Sequence, residues 1–592
     1  MMRLLFILCM LISAQLFAQD DGNAREYFKN GDYEKALYEY KVLYANSPSS
    51  ITYISQIINT HQQLEQYDEA EVFILKLLER INYPALLVEL GYNYQLKNNL
   101  EKANITYKKA LASIDEKPVN VFSVTRSFQS HSLLNEAIIA YEKGMNLNAD
   151  FNFKLQLAQL YGEQGNTEKM FTNYIDFAES NPIASGTIKK AINEFISENS
   201  ETENNVLLRK ILLKNIQQEP NLIWNDLLSW LFIQQKDYKK AFIQEKAIFN
   251  RQPESLGRIE ELALIASNDN NLEAAKEIFT FITNTAQDLD LLLEAHYNIL
   301  QIELNLSTKE NYETLDVKYQ ELLIKFGTFS QTLKLQIAYA HFLAFYKNDT
   351  KKATSFLEKT LELPLTEMQQ AEVKLELGDI LVLQEKFNDA LIYFTQIQRN
   401  LKNSTISQQA RFKVAQASYY KGDFKWAESQ LKILKASTSQ LIANDALDLK
   451  LLITDNKYED SLQIALKLYA KADLLSFQNR NDESIVLLNK ILSEHKTEPI
   501  IAQTLFKQAQ LFEQKGQYEK AVVNYEAIIE NYRDGILIDD AYFKLAELFE
   551  KQLNNPEKAK TLYEEIIFNH ADSIYFVDAR KRFRALRGDA IN

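Results

Sequence analysis

From Thr504 to Ile529 the chain reads TLFKQAQLFEQKGQYEKAVVNYEAII. Leu505, Ala509 and Phe512 recur at spacings of four and three, and beyond Lys515-Gly516-Gln517 so do Tyr518, Ala521, Tyr525 and Ile528. Each set is one apolar stripe at the helical period, which predicts two amphipathic helices joined by a tight turn. A hairpin of this size cannot bury both stripes alone. Matching stripes follow 37 or 38 residues later at Ala546, Phe549, Ala559, Tyr563 and Ile566. Ala509 and Ala521 mark where paired helices approach closely.

The regular mark of the pattern is a small residue early in the second helix, followed four later by an aromatic. In the N-terminal half it falls at Ala36/Tyr40, Ala103/Tyr107, Ala137/Tyr141 and Ala275/Phe279, and more loosely at Ala70/Ile74, Met170/Tyr174 and Ala241/Glu245. From Ala36 to Met170 the steps are 34, 33, 34 and 33. In the C-terminal half the stations are Ala390/Phe394, Ala427/Leu431, Ser484/Leu488, Ala521/Tyr525 and Ala559/Tyr563, with steps of 37, 57, 37 and 38. The long step predicts an extra helix at Ile442 to Ile453.

This pattern resembles the tetratricopeptide repeat (TPR) family, whose unit is a helix-turn-helix of about 34 residues. Gly91, Tyr94, Ala103 and Tyr107 match its small and aromatic stations, as do Ala24, Tyr27, Ala36, Tyr40 and the terminal Pro48. Pro182 and Pro253 stand at the same terminal station, while the family's early Trp is absent throughout. The resemblance covers roughly three quarters of the chain. It implies an all-α, right-handed superhelical solenoid of helix-turn-helix repeats that binds proteins or peptides. The C-terminal run from Glu530 to Ile567 is similar to the repeats of periplasmic outer-membrane assembly lipoproteins and Tol-Pal coordinators. That likeness implies scaffolding at the outer membrane.

The expected division is a signal peptide at 1–18, an N-terminal array at 19–182, degenerate helical repeats at 183–327, and an array of longer repeats at 328–592. The polar SENSETENN run and the off-register stretch Leu289 to Phe326, closed by Gly327, set the internal boundaries. Met1 to Ala18 has one Arg before a short apolar run, which predicts export with cleavage between Ala18 and Gln19. Cys9 lies inside that run, without the small neighbours a lipid-attachment site would want. It is the only cysteine, so the mature chain forms no disulfide. No later segment is apolar enough to span a bilayer, and a periplasmic setting follows.

Composition changes this picture little. Gly (14) and Pro (9) are scarce, as long helices and short turns require. Length alone implies several domains, but a solenoid grows by stacking and needs no single core. A net charge of −14 disfavours nucleic acid or anionic lipid as main partner.

Catalytic chemistry is not visible. The six histidines, His61, His131, His296, His341, His495 and His570, fall on different repeats, and there is no HExxH, phosphate loop or GxSxG elbow. No cofactor, metal or catalytic residue is expected. Acid pairs such as Asp539-Asp540 and Glu564-Glu565 read as solvated faces, and His341, in AYAHFLAF, as a packed core residue. Arg587-Gly588-Asp589 reads as a helix C-cap. The basic run Arg580, Lys581, Arg582, Arg584 and Arg587 suits a helix C-terminus.

What remains is a binding surface. In the family the first helices line the concave face. Counting five and nine from each unit's start gives Ser55 and Asn59, Val88 and Tyr92, Phe122 and Arg126, Leu155 and Gln159. The Lys and Asn set of carboxylate-clamp members is missing. Asn59, Tyr92, Arg126 and Gln159 are the candidate partner-binding residues, a strip of amide, aromatic and one charge suited to an extended or helical segment. The reading is a non-enzymatic scaffold; the alternative is a permanent structural subunit of an envelope complex, and a third is an enzyme or glycan-handling protein with a site at Leu289 to Phe326.

Overall fold

The computed structural model describes residues 21–434, 440–457 and 463–589. The expected signal segment and its cleavage point lie outside the described residues. Among the described residues every regular element is helical, and the chain clusters into two compact units, one ending at Ser255 and one starting at Leu256.

Within each unit the helices pair in sequence as antiparallel hairpins. Ala85–Leu96 packs on Leu100–Glu116 and Lys154–Glu163 on Thr167–Ser180 in the first unit. Glu367–Leu383 packs on Phe387–Asn400, Ile501–Gln514 on Tyr518–Asn531, and Ile538–Lys551 on Pro556–Asn569 in the second. Each hairpin also packs on the next, so every apolar stripe is covered by a neighbour. The fold is therefore an all-α solenoid of helix-turn-helix repeats, as the periodicity requires.

The turns explain how so few glycines suffice. Gly516 takes φ +67°, its N–H bonds Glu513 O at 2.9 Å, and the Gln517 N–H bonds Phe512 O at 2.8 Å. This closes the helix by a left-handed residue. Most equivalent turns make the same conformation without glycine, at Glu65, Asn98, Ser132, Lys236, Asn270, Glu385 and Asn479. Asn or Asp often follows as the next cap: Asn99, Asn166, Asp237, Asn271 and Asn555 each accept the N–H three residues on.

Packing follows the small-then-large register. Ala36, Ala70, Ala103, Ala137, Met170, Ala241, Ala275, Ala390, Ala427, Ser484, Ala521 and Ala559 are all buried, as is the residue four after each. Helices close until they touch at these points. A Cβ added to Gly91 would collide with the Tyr107 ring, and one added to Gly378 with the Phe394 ring, so both positions demand a bare backbone. Tyrosine at the large station also ties the hairpin across: Tyr107 Oη donates to Gln95 at 3.0 Å, Tyr525 to Glu513 at 2.5 Å and Tyr563 to Glu550 at 2.7 Å.

The expected extra helix is present as Gln440–Asp455, with Ile453 buried. The off-register stretch forms Leu289–Leu306 and Tyr312–Phe326, and Gly327 ends the second at φ +81°. One repeat escaped the sequence pattern. Thr350–Thr360 buries Ala353 and Leu357 at matching stations, with Leu in place of the aromatic. The polar 194–202 loop is pinned by buried Asn205, whose Nδ2 donates to the carbonyls of Ser197 and Asn199 at 2.7 and 2.6 Å.

Two readings need correction. Asp539 and Asp540 are not a solvated face: Ser573 Oγ donates to Asp539 at 2.7 Å and Tyr575 Oη to Asp540 at 2.8 Å, tying consecutive repeats together. Burial pushes the Asp540 carboxyl above the usual aspartate range. His341 is not a packed core residue. Its side chain is 43% exposed and its Nδ1 lies 2.9 Å from Glu376 Oε1. The preceding residues are buried, but the ring projects past them from the last turn of its helix.

Candidate partner-binding groove

Ile51–Gln63, Ala85–Leu96 and Val121–Ser130 are first helices of consecutive hairpins in the first unit. Each turns one face to a common groove of 490 Å³. Asn59, Tyr92 and Arg126, one from each helix, all line it. Asn59 and Tyr92 are half-buried and Arg126 is exposed. Gln159, on Lys154–Glu163, is exposed and is not among the lining residues. The groove thus gathers three of the four candidates. The companion positions behave differently from one another. Ser55 lines the groove, but Val88 is fully buried, and Phe122 packs edge-on against Phe151 and Phe153.

Beneath the three lies a polar network that the sequence did not disclose. Glu89 is only 8% exposed. Ser127 Oγ donates to its Oε1 at 2.6 Å, and His131 Nε2 lies 2.9 Å from its Oε2. Ser127 and His131 are four residues apart, so one helix face delivers both. The His131 ring stacks on Tyr92 with centroids 3.9 Å apart and planes 18° from parallel. Tyr92 is therefore held flat by a ring on one face. A serine, a histidine and a glutamate come together here, but both partners bind the same carboxylate. The serine hydroxyl points at an acceptor rather than at the imidazole, so nothing activates it as a nucleophile.

The groove's remaining polar groups are mostly amides and hydroxyls, able to donate and accept, with Arg126 as the one cation. Gln62 is 7% exposed, and its Nε2 has no hydrogen-bond partner. Arg126 forms no ion pair among the described residues. Burial pushes the neighbouring Tyr83 hydroxyl above its ordinary value, with Arg126 opposing that shift. A ligand carrying acceptors, such as peptide carbonyls, would satisfy these groups.

The missed residues Glu89, Ser127 and His131 carried a faint signal. The i, i+4 pair of Ser127 and His131 is visible in the sequence, but its partner lies 38 and 42 residues away. Only stacking of one repeat on the next reveals it. Burial lowers His61 and His296 below the usual range, and no cluster able to hold a metal occurs among the described residues. At the end of the chain Gly588 caps its helix at φ +85°, Arg587 pairs with Asp589, and Arg582 reaches Glu550 at 2.9 Å and Glu547 at 3.2 Å. The tripeptide and much of the basic run thus have structural partners. Among the described residues no helix is long and apolar enough to cross a membrane.

A family model described as tetratricopeptide repeat matches residues 503–535 and 540–573. No curated protein sequence matches the chain. Among solved structures, that of Naa15/Naa10 bound to HypK-THB aligns over 97% of this chain and 94% of its own, at 13% identity and a TM-score of 0.28. The APC/C hetero-tetramer Cut9-Hcn1 aligns over 90% and 96%, at 12% identity and a TM-score of 0.25.

Proposed function

We propose that this protein is an exported, non-enzymatic scaffold of the bacterial cell envelope. On this reading, it holds extended or helical segments of other proteins in the groove formed by Asn59, Tyr92 and Arg126. The tetratricopeptide repeats at 503–573 support a protein-interaction role. The observation that carries the reading is the meeting of three polar or aromatic residues, from three successive hairpins, over one 490 Å³ groove. The apolar leader at Met1 to Ala18 supports export, and the Glu530 to Ile567 likeness supports a place beside outer-membrane assembly proteins. Gln159, exposed one repeat further on, lies outside this groove.

The double variant Tyr92→Ala with Arg126→Ala tests the surface. Crosslinking in the native envelope, followed by mass spectrometry, should lose partners captured by the unaltered chain. Unchanged capture of every partner would place the binding surface elsewhere. N-terminal sequencing of the mature protein should begin at Gln19; a retained Met1 would refute export by cleavage.

A second reading, a permanent subunit of an envelope complex, is favoured by one feature. Phe568, Ile574 and Val577 on the last repeat are 70, 84 and 73% exposed. Such a cluster of exposed apolar side chains suits a permanent interface. Salt-resistant co-purification with one fixed partner would favour this reading.

A further inference from the structure

A second groove, of 1040 Å³, lies within the second unit. It is lined by the helices Leu289–Leu306, Leu333–His341, Glu367–Leu383 and Thr405–Lys421. Its floor is apolar, made by Leu304, Ile337, Leu375 and Ile406. One wall is acidic. Glu372, Glu376 and Asp379 follow one another at spacings of four and three, so a single helix face turns all three toward the groove.

The charges along this row of helices are otherwise matched. Lys334 pairs with Glu294 at 2.6 Å, Lys413 with Asp379 at 2.9 Å and Lys507 with Asp473 at 2.8 Å. Two carboxylates have no permanent cation. Glu372 has no ion-pair partner among the described residues. The partner of Glu376 is His341, a cation only when protonated. Burial raises both Glu372 and Asp379 above the ordinary carboxyl range, as expected where negative charge is crowded against an apolar floor.

His341 is held in place by an irregular turn. Its helix runs directly into a π-helical segment, Phe342–Tyr346, and its ring stacks on Phe345 at 4.4 Å between centroids. Asn479 Nδ2 donates to Phe345 O at 3.1 Å, satisfying a carbonyl the widened turn leaves over. Such turns concentrate where a helix presents side chains to a ligand.

We propose that this groove docks a cationic amphipathic segment of a partner protein. Its apolar side chains cover the floor, and its Lys or Arg side chains meet Glu372 and Glu376. A wholly apolar occupant would strip water from these carboxylates without replacing it. An acidic occupant would be repelled. The groove sits at the upper end of the volumes that single small ligands fill, and it is open along one side, as a chain segment needs. This site is separate from the Asn59, Tyr92 and Arg126 strip and of opposite polarity, so it does not depend on the role proposed for that strip.

The test uses the full mature chain and two fluorescein-labelled helical peptides of about 18 residues, roughly five turns. One peptide is built of Leu and Lys with its Lys on one face, the other of Leu and Glu. Anisotropy titration should show binding of the Leu/Lys peptide only, weakening as salt rises. The double variant E372Q/E376Q keeps the shape of the wall and should weaken that binding by about tenfold. The control E557Q/E564Q, at exposed positions of the Pro556–Asn569 helix, should change it by less than about twofold. Equal losses from the two double variants would mean that only net charge attracts the peptide, and would overturn the proposal. So would equal binding of both peptides, or failure of the Leu/Lys peptide to bind. If sedimentation velocity shows self-association that E372Q/E376Q abolishes, the occupant is a second copy of this chain and the proposal is likewise wrong.

Discussion

The two grooves are made the same way and end with opposite character. Both are lined by first helices of successive hairpins, and both place glutamate at the lining. In the first unit Glu89 is sunk below the surface, and its two oxygens are occupied by Ser127 and His131. The groove above it presents the Arg126 guanidinium and the Asn59 amide. In the second unit Glu372 and Glu376 line the groove, and the first helix of the preceding hairpin brings one conditional cation, His341, to Glu376. A carboxylate consumed inside the protein helps build its surroundings, whereas one left facing out carries its charge to the groove surface. Residue type does not decide which; the side chain that the adjacent repeat supplies does.

The largest expected effect breaks this contrast at its buried end. Glu89→Ala leaves the Ser127 hydroxyl and His131 Nε2 without their acceptor, at about 1–3 kcal/mol for each group stranded. A loss of about 2–6 kcal/mol in denaturant unfolding is expected for the two groups together. Glu372→Ala, an exposed site, should cost under about 0.5 kcal/mol. Equal losses would erase the distinction between the two glutamates.

The next effect sharpens the claim that both units share one packing rule. Ala521 is fully buried where paired helices touch, and Lys520 beside it is exposed. Ala521→Leu should lower stability by about 1–3 kcal/mol through overpacking. Lys520→Leu should cost under about 0.5 kcal/mol. Similar shifts in denaturant midpoint would refute the register.

A smaller effect is read through pH. Asp316 is 6% exposed. Burial opposes its charge, but hydrogen bonds from Lys347, Gln320 and Tyr339 outweigh burial and hold its pKa below the usual aspartate range. A depressed folded pKa means that the unfolded chain binds the proton more readily. The stabilisation is therefore present above the unfolded value of about 3.9 and is lost as pH falls through the lower folded value. Asp316→Asn should cost about 1–2 kcal/mol at neutral pH and progressively less below pH of about 4. A difference that stays constant down to pH of about 2 would contradict this.

Much of the fold is legible because helix pairing is local. Ala521 and Tyr525 advertise their hairpin within a few residues, and the same mark recurs at a nearly fixed step. The missed repeat at Ala353 and Leu357 shows the limit: Leu fills the large station here as it does at Leu431 and Leu488, and without an aromatic the pair does not stand out from other Ala and Leu spacings in a helical chain. His341 shows another. The AYAHFLAF run is apolar on every side, and periodicity cannot say which residue the last turn of the helix leaves at the surface.

By itself, the sequence determined the helical class, the hairpin register and the small stations where helices touch. Each depends on residues within one repeat, and a period of about 34 to 38 residues repeats the message. The tertiary structure alone decided which polar residues meet across repeats. Glu89 with Ser127 and His131, Asp316 with Lys347 and Tyr339, and His341 with Glu376 are all contacts over 23 to 42 residues. Stacking sets which helix faces oppose one another, and a small rotation at each step changes the partner. A hydrogen bond made or missed at that distance leaves no periodic trace in the chain, and those bonds decide what each groove can hold.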